Sequence, residues 1–155
     1  MRTIRNVMSG CWEISIFDRI RDYFGFSHNA EFWPQVTFFN FGSTSIGGQE
    51  DRYRWATKEQ VALGRARVLD IPEEHRPEEV LVFTRKGWRS FPPTIEDDLG
   101  IAEPGWPHGW QTYRLRDGGL VRATGLRHPQ FARKADMSAA VSEILALPRP
   151  TAAQV

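Results

Sequence analysis

At 155 residues, with 41% of them apolar, 25% charged and a formal net charge of +1, the chain has the make-up of one ordinary globular domain with room for a full core. No apolar run reaches the roughly 18 residues that cross a bilayer, no signal-peptide core opens the chain, and the net charge does not point to nucleic acid. The lone Cys11 excludes an internal disulfide, which fits a reducing cytoplasm, and with no histidine close in sequence it reads as a small core residue.

In chain order, "ISIFDRIRDYFGF" places Ile16, Ile20 and Tyr23 (or Phe24) at helical spacing, which predicts an amphipathic helix stopped near Gly25. "PQVTFFNF" is β-branched and aromatic and predicts a strand over Val36–Asn40. The polar, glycine-rich "GSTSIGGQEDRYRW" then reads as a loop. Thr57 with Gln60 forms a capping-box pattern, and Val61, Leu63, Ala66 and Leu69 supply an apolar face for a helix expected to stop before Pro72.

"EEVLVFT" has the continuous apolar character of a parallel strand buried on both faces, over Val80–Thr84, and a short helix from Lys86 to Phe91 should end at Pro92-Pro93. "WQTYRL-RDGG-LVRATG" predicts a hairpin turning at Asp117-Gly118-Gly119, with Val121–Gly125 as its second strand. A last helix from Met137 to Leu147, capped by Asp136, precedes a tail, 148–155, that should fray. This alternation predicts one α/β domain over 1–147, a three-layer α/β/α sandwich around a mainly parallel central sheet.

Charge is distributed unevenly. "PEEHRPEE" and Glu96-Asp97-Asp98 are acidic, whereas Arg114 to Lys134 is strongly basic, a patch that attracts phosphate if it is not merely a solvated face. Ligands of open α/β sheets bind outside the carboxyl ends of the strands, where Asn40, the Thr84-Arg85-Lys86 segment and His128 fall. An amide there can read the edge of a nucleobase, and a histidine can stabilise an anion forming on a leaving group. An asparagine ending a strand and a His-Pro pair are also ordinary turn formers. Trp106 and Trp110 bracket His108 in "PGWPHGW", either a stacking platform for bases or a flap over the core, and His28 and His75 have no constellation around them.

The ordered set "VTFFNF", a glycine-rich loop, a helix, "EEVLVFTRKGW" and "LRHPQ" resembles the uracil-DNA glycosylase superfamily, and more closely its poorly characterised bacterial branch. Phe32-Trp33 before the asparagine and Lys86-Gly87-Trp88 after the next strand carry that closer likeness, which runs from Arg5 to Leu147. The resemblance implies hydrolysis of an N-glycosidic bond in DNA, with Asn40 holding a flipped uracil and His128 stabilising the departing anion. Gln130 stands where the family has a serine, and Phe131 where an apolar wedge fills the gap left by the base. Arg85, Lys86, Arg127, Arg133 and Lys134 would face phosphates.

The family begins with an apolar strand and an acid-bearing motif that positions water, and "MRTIRNVMSG" has neither, so that strand is expected to be missing or replaced and activity weak or lost. Glu50 and Asp51 are candidate replacement carboxylates. Three functions stay open: a base-flipping glycosylase, a non-catalytic relative that binds DNA (single-stranded or uracil-containing), and an inactive interaction domain. Neither a metal nor a cofactor nor a membrane is expected.

Overall fold

The computed structural model describes residues 15–41, 56–92, 102–103 and 109–151. Cys11, Glu50, Asp51, the acidic run Glu96–Asp98, Trp106 and His108 lie outside the described residues.

Helix α1 (Ser15–Tyr23) buries Phe17, Ile20 and Tyr23 along one face, while Ile16 is only partly covered. Asp18 in its first turn and Arg21 in its last match the helix dipole, and Gly25, at φ 79°, ends it in a conformation that other residues rarely adopt. Asn29 is the first residue of the short helix α2 (Asn29–Phe32), and its side-chain amide donates to Asp18 at 2.8 Å, which ties α2 back to α1. A 3-10 turn, Trp33–Gln35, follows.

Val36–Asn40 is not a strand. Its aromatic side chains are drawn to different partners: Phe38 meets the rings of Phe17 and Trp33 edge-on, whereas Phe39 and Phe41 join the cluster built on Val68, Trp88 and Phe91. The segment is therefore pinned as a link between two clusters by side chains, with no ladder of backbone bonds among the described residues.

Helix α3 (Lys58–His75) starts at the expected capping box, Thr57 and Gln60 each accepting the other's backbone N–H. Its buried stripe differs from the expected one. Gly64, Val68 and Pro72 face the core at four-residue spacing, and Leu63 and Leu69 lie outside at 60% and 42% exposure. Gly64 decides the rotation, since a Cβ there would come within 2.7 Å of the Phe41 ring. The helix also continues through Pro72, whose buried ring packs inward, and closes one turn later where Arg76 takes φ 50° and donates its N–H to the Pro72 carbonyl.

The described sheet has the order β1-β4-β3-β2, from β1 (Glu79–Phe83), β2 (Ala102–Glu103), β3 (Trp110–Arg114) and β4 (Leu120–Leu126). β1 and β4 are parallel and the other pairs antiparallel, so the fold is α/β with a small mixed sheet. The tight β3–β4 turn, with Gly118 at φ 84°, forces that antiparallel half. With Val36–Asn40 outside the ladder, β1 is an edge of the described sheet and is half-buried along its length, although its side chains pack on both faces as expected.

Strand alternation sends side chains to both sides. Val80, Val82, Val121 and Ala123 pack with α3 and with α4 (Arg85–Ser90), the latter capped by the Thr84 hydroxyl accepting the Gly87 N–H at 2.7 Å. Leu81, Phe83 and Leu126 pack with α1 and with α5 (Lys134–Ala146) through Tyr23, Met137 and Val141. Side chains as completely covered as Val121 and Val141 contribute about 1.5–3 kcal/mol each. Helix α5 begins before the expected cap: Arg133 is its N-cap and Asp136 lies in its first turn, where a carboxylate suits the dipole. The start of the tail is held, since the Pro148 carbonyl accepts from Arg122 at 3.1 Å and Arg149 pairs with Glu78.

Candidate functional site

Because β1 and β4 run parallel with Phe83 opposite Leu126, the residues that follow each strand leave the sheet side by side. Arg85 and Lys86 thus share one end of the fold with Arg127 and His128. Gly125, two residues before Arg127, is required by packing: a Cβ on it would lie 2.7 Å from the Trp88 indole. The glycine in "RATGLRHP" is there for α4.

His128 caps a 3-10 turn, Pro129–Phe131, at φ −64° and ψ 132°. Its Nδ1 accepts the Gln130 N–H at 3.2 Å, and its carbonyl accepts the Phe131 N–H at 3.0 Å. Accepting through Nδ1 leaves the proton of a neutral ring on Nε2, an assignment that follows from the hydrogen bond. Burial lowers the His128 pKa below its ordinary 6.5, so the ring is neutral at pH 7. Pro129 is buried, whereas Gln130 is exposed and Phe131 is 80% exposed, its ring 5.6 Å from the imidazole.

The basic residues here divide by partner. Lys134 bonds Asp22 at 2.7 Å. Burial alone would raise the Asp22 pKa, but hydrogen bonds from Lys134 and Arg21 bring it below its ordinary 3.8. Arg85, Arg127 and Arg133 are exposed and form no ion pair among the described residues. The turn therefore presents an outward phenyl ring, flanked in sequence by arginines that meet no carboxylate among the described residues.

Asn40 stands elsewhere in the contact pattern. It is exposed, its carbonyl lies 3.5 Å from the Arg67 guanidinium on α3, and its neighbours Phe39 and Phe41 pack on the α3 side of the sheet. The His128 turn leans on α1, on the other side, through Pro129. No hydrogen bond or ring contact joins Asn40 to His128 among the described residues. Trp110 sits in β3, partly buried, opposite Thr124. His28 is exposed before α2, and His75 lies at the end of α3, 3.8 Å from Glu74.

Sequence reading missed two features. Arg122, expected in the basic patch, is buried on the sheet: it bonds Glu79 at 2.9 Å and the carbonyls of Ile144 and Pro148, and Thr124 donates to the other Glu79 oxygen at 2.7 Å. Burial raises the Glu79 pKa above its ordinary 4.5, against the opposing pull of Thr124 and Arg122. The period of two in "LVRATGL" carried that signal, because it puts Arg122 on the face of Thr124 and Leu126. The second is Arg19, whose contacts with the His128 turn lie 110 residues away in sequence and left no local trace.

Among the described residues no group of three or more His, Cys, Asp or Glu is placed to hold a metal ion, and no helix is long and apolar enough to cross a membrane. Set against protein-family models, curated proteins and solved structures, the chain matches none of them.

Proposed function

We propose that this protein binds single-stranded DNA through the turn between β4 and α5. One observation carries the reading: Phe131, 80% exposed, stands between Arg127 and Arg133, which have no carboxylate partner among the described residues. Exposing a large aromatic side chain wastes apolar burial unless a partner covers it, and a nucleobase offers a flat face that stacks on such a ring for about 1–3 kcal/mol. The flanking guanidiniums supply phosphate contacts, which release counterions and make the affinity fall with salt. Gln130 and the Nε2–H of His128 add polar groups able to bond a base edge or a backbone oxygen.

Fluorescence anisotropy of a labelled single strand, read at several salt concentrations, tests this directly. The parent should bind at low salt, and an Arg127→Ala, Arg133→Ala double variant should bind more weakly with a shallower salt slope. Failure to bind at low salt, or indifference to both substitutions, removes the reading.

A second reading, a uracil-DNA glycosylase-like hydrolase in a cytoplasmic three-layer fold, is favoured by the state of His128. A neutral imidazole that keeps Nε2–H is suited to donate to an anionic leaving group without first losing charge. In this reading Asn40 holds the base, and His128→Ala lowers uracil release by about 10²–10³-fold. Asn40→Asp changes base choice, because it exchanges a donor for an acceptor. Release from a uracil-containing strand that survives both substitutions would leave the His-Pro pair as a turn. The separate contacts of Asn40 and His128 make binding the first reading and hydrolysis the second.

A further inference from the structure

The two arginines of α1 are held differently. Arg21 is committed to acidic and amide partners, Asp18 at 3.0 Å, Asp22 at 2.6 Å and Asn29 at 3.2 Å. Arg19 is exposed and has no carboxylate partner among the described residues. Its Nη1 donates to the Pro129 carbonyl at 2.9 Å and lies 3.5 Å from the Gln130 carbonyl. Tyr23, one helical turn on and so on the same face of α1, donates its hydroxyl to that same Pro129 oxygen at 3.2 Å.

A single 3-10 turn leaves its carbonyls without the amide partners that a longer helix would supply. Here α1 supplies the donors, which fixes the direction in which the opposite side of the turn, with Gln130 and Phe131, faces solvent. The chemistry of the acceptor matters. A carbonyl is neutral, so Arg19 keeps its full charge while holding it, whereas a carboxylate in that place would cancel the charge. A guanidinium has five N–H donors, and those not engaged by the turn remain available at a turn that Arg127 and Arg133 flank in sequence.

We infer that Arg19 is a bifunctional residue of the DNA surface, fixing the His128–Phe131 turn with one nitrogen and receiving a strand phosphate with the others. This rests on the single-strand reading of the turn. It extends the site to a helix that no local sequence pattern connects with it, and makes the site depend on the docking of α1.

The test uses the full chain, a fluorescein-labelled oligothymidylate and three variants, Arg19→Gln, Arg19→Lys and Tyr23→Phe. Binding is read as the slope of log affinity against log salt, and turn geometry as the Gln130 amide and His128 Nδ1 resonances in 15N spectra. Arg19→Gln should weaken binding several-fold, reduce the slope by about 0.7, the share of one phosphate on a single strand, and shift both resonances. Arg19→Lys should keep the slope and still shift the resonances, because an ammonium retains the charge and loses the fork. Tyr23→Phe should shift the resonances and leave the slope unchanged.

A slope in Arg19→Gln equal to the parent's, while Arg127→Ala, Arg133→Ala lowers it, overturns the inference and leaves the single-strand reading standing. If the double variant also binds like the parent, or the parent does not bind, the reading itself has failed. Should Arg19→Gln not fold, Arg19→Lys decides, and parental resonances in that variant overturn the inference.

Discussion

At the start of the β1–β4 pair, Arg122 bonds Glu79 at 2.9 Å, Arg76 reaches Asp117 at 2.8 Å, Arg116 approaches Asp70 at 3.7 Å and Arg149 pairs with Glu78. At the far end of the same strands, Arg85, Arg127 and Arg133 meet no carboxylate among the described residues. Among the described residues, the near-neutral total charge thus hides an end whose arginines meet carboxylates and one whose arginines do not. The difference lies in where the acids are spent. The run "PEEHRPEE" answers cations at the first end, and among the described residues the acids of α1 answer Arg21 and Lys134 and leave Arg85, Arg127 and Arg133 unpaired. Position in the fold, not residue type, separates a paired arginine from one that meets no carboxylate among the described residues.

The sharpest way to break this contrast is Arg122→Ala. It would leave Glu79 buried and unpaired and remove donors from the Ile144 and Pro148 carbonyls, so stability should fall by about 3–5 kcal/mol in denaturant titration. Gly125→Ala should follow at about 1–3 kcal/mol, because the new Cβ would press on the Trp88 indole. Arg127→Ala with Arg133→Ala should leave stability within about 0.5 kcal/mol and lower the salt slope for single-stranded DNA by about 1.4. A large stability loss in that double variant would erase the distinction between the two ends.

Titration should distinguish the ends by opposite signs, as the smallest effect. The folded pKa of Glu79 is raised, so the stability gained by its protonated form is fully present below pH 4.5 and is lost as pH rises through the folded value. The folded pKa of His128 is lowered, so its neutral ring contributes fully above pH 6.5 and the contribution is lost as pH falls through the folded value. Denaturant titrations over pH, with Glu79→Gln and His128→Gln as references, should show each slope disappear only in its own variant.

The elements read most surely from sequence were those specified by near neighbours. The capping box at Thr57, the turn at Gly118 and the stop at Gly25 each need only a few adjacent residues. The Val36–Asn40 strand failed because Phe38 and Phe39 answer to clusters on different helices, which no local alternation records. The face of α3 was misjudged because Gly64 carries no apolar weight, although it is where Phe41 comes closest. At the site, Arg127 and His128 were legible as the residues leaving a strand. Strand alternation set Arg122 apart from Arg127 in sequence, but its partner was not legible, since the carboxylate it bonds lies 43 residues away.

The long reach of the α1 contacts bears on the order in which the chain assembles. The β3–β4 hairpin closes over a few residues and should form within microseconds, whereas β1 must find β4 across a long crossover and α1 must find Pro129 across 110 residues. Loop-closure entropy places that last docking late. The His128 turn would then be completed only after the sheet exists, and it would be among the first parts to open again. In hydrogen exchange, the amides of Gln130 and Phe131 should exchange ahead of those of Val121 and Ala123 on the neighbouring strand.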